Sequence, residues 1–256
     1  MLTSVQKVTR ILTAVASGGS EPMPLFEIAQ KTEINKATCS HIINTLMQEG
    51  FIVRISATKG YVLGPAAYCL SEFGRYGSDL ISACRPVMQY LYKALGHCVV
   101  LAVIEGGAKY IIDYIDNGNI FPQKKKIRKD DIYRTATGRA ILKNMSDGEL
   151  HEIWEKYGSP SEMEWGEIVS FDDLLHYRDE LDEGVPVITR RVCDDHIDLA
   201  YAVPIKRGLK CLGAIGIAIK ICKNDENAFM LENDKKIKKL LIKGSGIINE
   251  RCNGQI

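Results

Sequence analysis

Near the start of the chain, Val5, Val8, Ile11, Leu12 and Val15 recur at helical spacing, with Thr3 or Ser4 available as N-cap. Gly18-Gly19 ends that helix, and Ser20-Glu21-Pro22-Met23-Pro24 has the composition of a loop. A second helix is predicted over 25–31, burying Ile28 and Ala29. After a short turn, Asn35 caps a third over 36–48, which Gly50 stops. In that third helix Cys39, Ile43 and Leu46 stand at i, i+4 and i+7 and share the side that faces a core. Lys36, Thr38, Ser40, His41, Asn44, Thr45 and Gln48 are left on the outer arc. Phe51 to Arg54 then predicts a strand, Ser56 to Gly60 a turn, and Tyr61-Val62-Leu63 a returning strand.

Two short helices about a tight turn form the helix-turn-helix pattern. The outer arc of the third helix carries short, hydrogen-bonding side chains suited to base edges and phosphates in a major groove. An ordinary helical hairpin with a solvated polar face would read the same way on this helix alone. The ribbon that follows favours DNA, because a small hairpin directly after a recognition helix is a wing. Arg54 and Lys59 on it would reach phosphates flanking the groove.

Downstream, 66–85 is mostly helical, with Leu70, Phe73, Leu80 and Ile81 as apolar residues and Gly74 and Gly77 as breaks. This stretch divides the chain into a DNA-binding domain at 1–65, a linker helix at 66–85 and a larger domain at 86–256. In the larger domain a helix over 86–95 precedes strands over 97–104 and 109–115 about Gly106-Gly107. A helix over 135–144 comes next, Ser146-x-x-Glu149 opens another, and Ser170-x-x-Asp173 starts a third that Gly184 closes. Strands over 185–192, 199–206 and 211–221 and a helix over 226–252 complete it. The fold class is α+β: a winged helix-turn-helix plus an α/β domain with a mostly antiparallel sheet. Helices cover one sheet face, and the other can hold a ligand cavity.

Composition changes this picture little. The chain has 256 residues, 46% hydrophobic and 25% charged, with a net charge of +1 that by itself says nothing about nucleic acid. No run approaches the ~18 apolar residues of a membrane span. The first residues, MLTSVQKVTRIL, lack a signal-peptide pattern, so a cytoplasmic protein with reduced thiols is expected. The eight cysteines include no C-x-x-C pair, and no cofactor is expected. The basic run at Lys124-Lys125-Lys126-Ile127-Arg128-Lys129 lacks interleaved aromatics and adjoins Asp130-Asp131, which suits a solvated loop. Cys193-Asp194-Asp195-His196-Ile197-Asp198 holds ligand types for zinc. Adjacent residues of an extended segment alternate sides and would not converge on one ion. The segment reads as a polar loop with Asp194 or Asp195 lining a pocket. Metal binding or enzymatic chemistry at Cys193, His196 and Asp198 is the alternative.

The segments SVQKVTRILTAVA, PLFEIAQKTEINKATCSHIINTLMQEGFIVR and KGYVLGPAAYCL resemble the N-terminal domain of IclR-type regulators, the isocitrate lyase regulator family. The resemblance rests on K-x-T-x-x-H at Lys36, Thr38 and His41, and on Y-x-L-G at Tyr61, Leu63 and Gly64. Glu33 stands where the family commonly has glycine, and Ile42 where it often has arginine. Further on, Tyr133 to Ala140 matches the family's H-A-T-A-x-G-K-A in part, and Ala202-Val203-Pro204-Ile205 with Gly213-Ala214-Ile215 matches its closing hairpin. The resemblance implies a GAF-like effector domain, a double-stranded DNA operator, a homodimer or tetramer, and no membrane or catalytic role. It implies effector contacts at Thr135, Ala136, Thr137, Ala200, Gly216 and Ala218, beside Asp194 and Asp195. Gly216, Ala218 and Ala200 replace hydroxyl or thiol side chains that carboxylate-binding members carry. The expected effector is therefore an organic acid beyond two or three carbons or a larger, less polar metabolite.

Overall fold

A computed structural model describes residues 3–19, 21–56, 60–72, 78–116, 132–180 and 184–254. Contacts divide the chain into two compact units, the break falling between residues 76 and 77. Among the described residues no helix is long and apolar enough to cross a membrane. Lys59 and the run from Lys124 to Asp131 lie outside the described residues, as do Phe73, Gly74 and Gly77.

The first unit opens with helix α1 (Ser4–Ala16), whose Thr3 cap and Gln6 close a reciprocal capping box. Helices α2 (Leu25–Thr32) and α3 (Lys36–Gln48) follow, then an antiparallel ribbon of β1 (Ile52–Ser56) and β2 (Gly60–Leu63). Ile11, Val15, Ile28, Cys39, Ile43, Ile52 and Tyr61 make one core. A bridge from Met23 to Tyr61 ties the α1–α2 loop to the ribbon. Glu33, in the α2–α3 turn, adopts the left-handed conformation without being glycine, at φ 57°. Such a conformation costs a non-glycine residue roughly 1–2 kcal/mol. Ile34 buried on one side and the Asn35 cap on the other hold the turn in place. Helix α4 (Pro65–Glu72) ends the unit.

The second unit begins with α5 (Ser78–Leu95), which runs through Pro86 rather than starting there. Strands β3 (Cys98–Glu105) and β4 (Ala108–Ile115) form the expected hairpin, with Gly106 and Gly107 both at positive φ. Then come α6 (Ala136–Leu142), α7 (Asp147–Tyr157), a short α8 (Glu162–Trp165) and α9 (Phe171–Asp179). The Ser146 and Ser170 capping boxes are both formed. Helix α9 ends at Asp179 with Glu180 as its C-cap, so Gly184 does not close it. Strands β5 (Val187–Val192), β6 (His196–Arg207) and β7 (Lys210–Cys222) lead into α10 (Glu226–Asn253).

The sheet has order β4-β3-β7-β6-β5, antiparallel throughout. Alternation along the strands gives it two unlike faces. Val99, Leu101, Leu199, Tyr201, Val203, Ile205, Ile215, Ile217, Ile219 and Ile221 join Val87, Met88 and Leu91 of α5 and Ile237, Leu241 and Ile248 of α10 in the main core. Hydrogen bonds from Ser245 Oγ to the Pro204 carbonyl (2.7 Å) and from the Lys206 amide to Asn249 Oδ1 (2.9 Å) fix α10 on β6. The opposite face is lined by Ala202 and Ala214, against which Ala136, Ala140 and Ile141 of α6 pack.

Candidate functional site

Two places in the chain carry the residues singled out from sequence. The first is the outer arc of α3. Cys39 and Ile43 are fully buried and Leu46 nearly so, which fixes the rotation of the helix. Lys36, His41, Asn44, Thr45 and Gln48 are consequently exposed, with Thr38 and Ser40 half-buried. Asn35 Oδ1 accepts the Thr38 amide at 2.8 Å and sets the first turn. The Thr45 hydroxyl turns back to the His41 carbonyl at 3.3 Å, and the His41 and Asn44 side chains are exposed. On the ribbon, Arg54 is exposed opposite its cross-strand partner Tyr61, its guanidinium 5.8 Å from the ring centre. Exposed polar groups on this helix, with a cation on the adjoining ribbon, suit contacts to base edges and phosphates.

The second place is the small-residue face of the sheet. In the strand registers Val187, Ala202, Gly216 and Val100 form one row, and Thr189, Ala200, Ala218 and Cys98 the next. Arg191, Asp198 and Lys220 form a third. Ala200 and Ala218 are half-buried. Gly216 does not line open space. A Cβ there would lie 2.7 Å from Thr137 Cγ2, so the glycine admits the first turn of α6 onto the sheet. Gly138 serves a different close approach, to the turn that precedes α6, since its Cβ would stand 2.0 Å from the Ile132 carbonyl oxygen. Ala136 and Thr137 are accordingly buried, and the Thr135 hydroxyl caps α6 at the Gly138 amide. That hydroxyl also accepts a 2.8 Å hydrogen bond from Lys109 Nζ, a buried cation that sequence reading passed over because it sits in a strand of ordinary alternation.

Asp194 and Asp195 are exposed at the tip of the β5–β6 hairpin rather than against the Ala200–Ala218 row. The hairpin turns between them, with the Cys193 amide donating to the His196 carbonyl at 2.8 Å. This overturns the expectation that Cys193, His196 and Asp198 diverge. That expectation took the segment as one extended strand, but reversal sets Cys193 beside His196, and Asp198 follows on the same side two residues later. Asp198 is paired with Arg191. Burial pushes its carboxyl up, yet the Arg191 hydrogen bond and charge prevail and hold it below the usual carboxylate range.

Comparison with known proteins bears on both places. Residues 4–56 match the IclR helix-turn-helix domain, and residues 76–167 match the C-terminal domain of the bacterial transcriptional regulator IclR. The chain is 27% identical over 152 residues to the HTH-type transcriptional regulator TtgV of Pseudomonas putida, across 57% of each chain. It is 23% identical over 161 residues to the transcriptional repressor IclR of Escherichia coli, across 60% of this chain and 58% of that one. The matches thus span somewhat over half the length of these curated relatives. In fold the chain is similar to an IclR homolog from Microbacterium hydrocarbonoxydans complexed with 4-hydroxybenzoate, with TM-score 0.75 and 14% identity over 99% of this chain and 100% of that one. It is also similar to a transcriptional regulator from Alicyclobacillus acidocaldarius, with TM-score 0.74 and 17% identity over 98% and 99% of the two chains.

Proposed function

Because the chain belongs to the IclR family of transcriptional regulators, we propose that it is a DNA-binding regulator whose grip on an operator changes when a small molecule occupies its second unit. The observation that carries this reading is the rotation of α3: its apolar residues are spent on the core, and His41 and Asn44 face solvent with Lys36, Thr38, Ser40 and Thr45. Arg54 on the ribbon would clamp the DNA backbone, and the sequence assigns the same role to Lys59, which lies outside the described residues. Two copies present two such helices to half-sites about one helical turn, roughly 34 Å, apart.

The effector sits on the small-residue face, over Ala200 and Ala218 and beside Thr135 and Thr137, with Ala136 and Gly216 shaping the floor rather than contacting it. The structural neighbour from Microbacterium hydrocarbonoxydans holds 4-hydroxybenzoate, an acid larger than three carbons. An effector of that class suits a face with few hydroxyls. It regulates only by binding the two DNA-affinity states unequally.

The test is a salt titration of the full-length chain on duplexes selected from a random pool. A log–log slope of about −0.9 for each phosphate contacted is expected, over several contacts. A flat profile, or failure to select any duplex, would overturn the reading.

A further inference from the structure

The far end of the small-residue face, from the Arg191–Asp198 row outward, carries a second kind of chemistry. There the β5–β6 hairpin gathers Cys193, His196 and Asp198, all half-buried, with one ligand atom from each inside a 4.8 Å span. Cys193 Sγ stands 3.7 Å from Asp198 Oδ2, and His196 Nε2 stands 3.1 Å from Asp198 Oδ1. In a tetrahedral zinc site, with bonds of about 2.3 Å to sulfur and about 2.0 Å to nitrogen or oxygen, neighbouring ligand atoms lie roughly 3.3–3.5 Å apart. The His196–Asp198 separation is close to such an edge, Cys193 Sγ approaches the other carboxylate oxygen, and one ligand atom from each of the three lies within 4.8 Å of the others.

An independent feature points the same way. The other ring nitrogen of His196, Nδ1, is held by Asp195 Oδ1 at the turn, which orients the ring and presents Nε2 to the cluster. A carboxylate behind a histidine is the usual outer support of a zinc ligand. Asp198 is supported too: Arg191 engages its Oδ2 and leaves Oδ1 toward His196.

We propose that Cys193, His196 and Asp198 bind a zinc ion, with Asp195 as the positioning residue behind His196. Thiolate and carboxylate together neutralise the dication, and the thiol proton leaves to solvent on binding. Three protein ligands leave a fourth position for water, adjoining the row that contains Ala200 and Ala218. Cys222 is the cross-strand partner of His196 on its other side, is exposed, and is not a ligand.

Zinc alone, titrated into metal-free full-length chain against a chelating dye, tests this. Binding of one ion per chain is expected, and cobalt in its place should give a thiolate-to-metal charge-transfer band. Cys193→Ser should abolish that band, and His196→Ala should weaken zinc binding about tenfold or more. Asp195→Asn should weaken it about 10–100-fold. Cys222→Ser should change nothing. Absence of stoichiometric zinc binding, or a cobalt band that survives Cys193→Ser or vanishes in Cys222→Ser, overturns the assignment. Circular dichroism of each variant separates ligand loss from unfolding.

Discussion

The two faces of the five-stranded sheet are built from alternate residues of the same strands, yet they answer different demands. One face is a continuous layer of isoleucine, leucine, valine and Tyr201 beneath α5 and α10. The other is Ala200, Ala202, Ala214, Gly216 and Ala218, with Arg191, Asp198 and Lys220 at its far end. Large side chains remove apolar area from water and hold the unit together. Small ones let α6 approach the sheet closely. The division teaches that the packed core layer and the face proposed for the effector are set apart by parity of position along β6 and β7.

The sharpest way to break this comparison is truncation on the large face. Ile217→Ala removes a fully buried side chain from the main core and should cost about 2–5 kcal/mol, read from a denaturant midpoint. Ala218→Ser, next to it on the opposite face, should cost far less.

Tyr201→Phe should cost about 1.5–3 kcal/mol, because the phenol donates to Asp234 Oδ1 on α10 at 2.9 Å. Burial, then the Asp234 hydrogen bond and charge, raise the Tyr201 pKa. A raised folded value contributes stability below the unfolded pKa near ~10 and loses it as pH rises through the folded one. Alkaline unfolding should therefore be blunted in the variant.

Next in size is Gly216→Ala, which should cost about 1–3 kcal/mol by overpacking against Thr137 Cγ2. Combining it with Thr137→Ser, which deletes that methyl, should cost less than the sum of the two changes. Additivity would mean that α6 does not rest on Gly216.

The smallest effect belongs to the charged end. Asp198→Asn should cost about 0.2–1 kcal/mol near neutrality, since the pair with Arg191 is partly exposed and screened. The lowered Asp198 pKa makes its contribution present above the unfolded value near ~4 and lost as pH falls through the folded one. The wild type and the variant should converge in acid, opposite to the Tyr201 limb.

Much of this was legible in the chain because the signals were local. Helix α3 runs over the 36–48 span predicted for it, since Asn35, Cys39, Ile43 and Leu46 set its start and rotation within a dozen residues. The Ser146 and Ser170 capping boxes were equally plain. What escaped reading depends on partners distant in sequence. Pro86 looked like a helix start, yet α5 carries through it because Val87, Met88 and Leu91 pack on α10 and the sheet. Gly216 looked like a missing ligand group, but only the approach of Thr137 reveals what its absent side chain admits. The convergence of Cys193, His196 and Asp198 depended on a turn at Asp194-Asp195, which carry no glycine to announce it.

The most direct test of regulation through α3 is the paired change His41→Ala with Asn44→Ala, measured by anisotropy on a selected duplex at fixed salt. With circular dichroism unchanged, the account predicts an affinity loss of about tenfold or more, in line with ~1–3 kcal/mol for a well-made base contact. Undiminished, sequence-selective binding by that folded variant would contradict it.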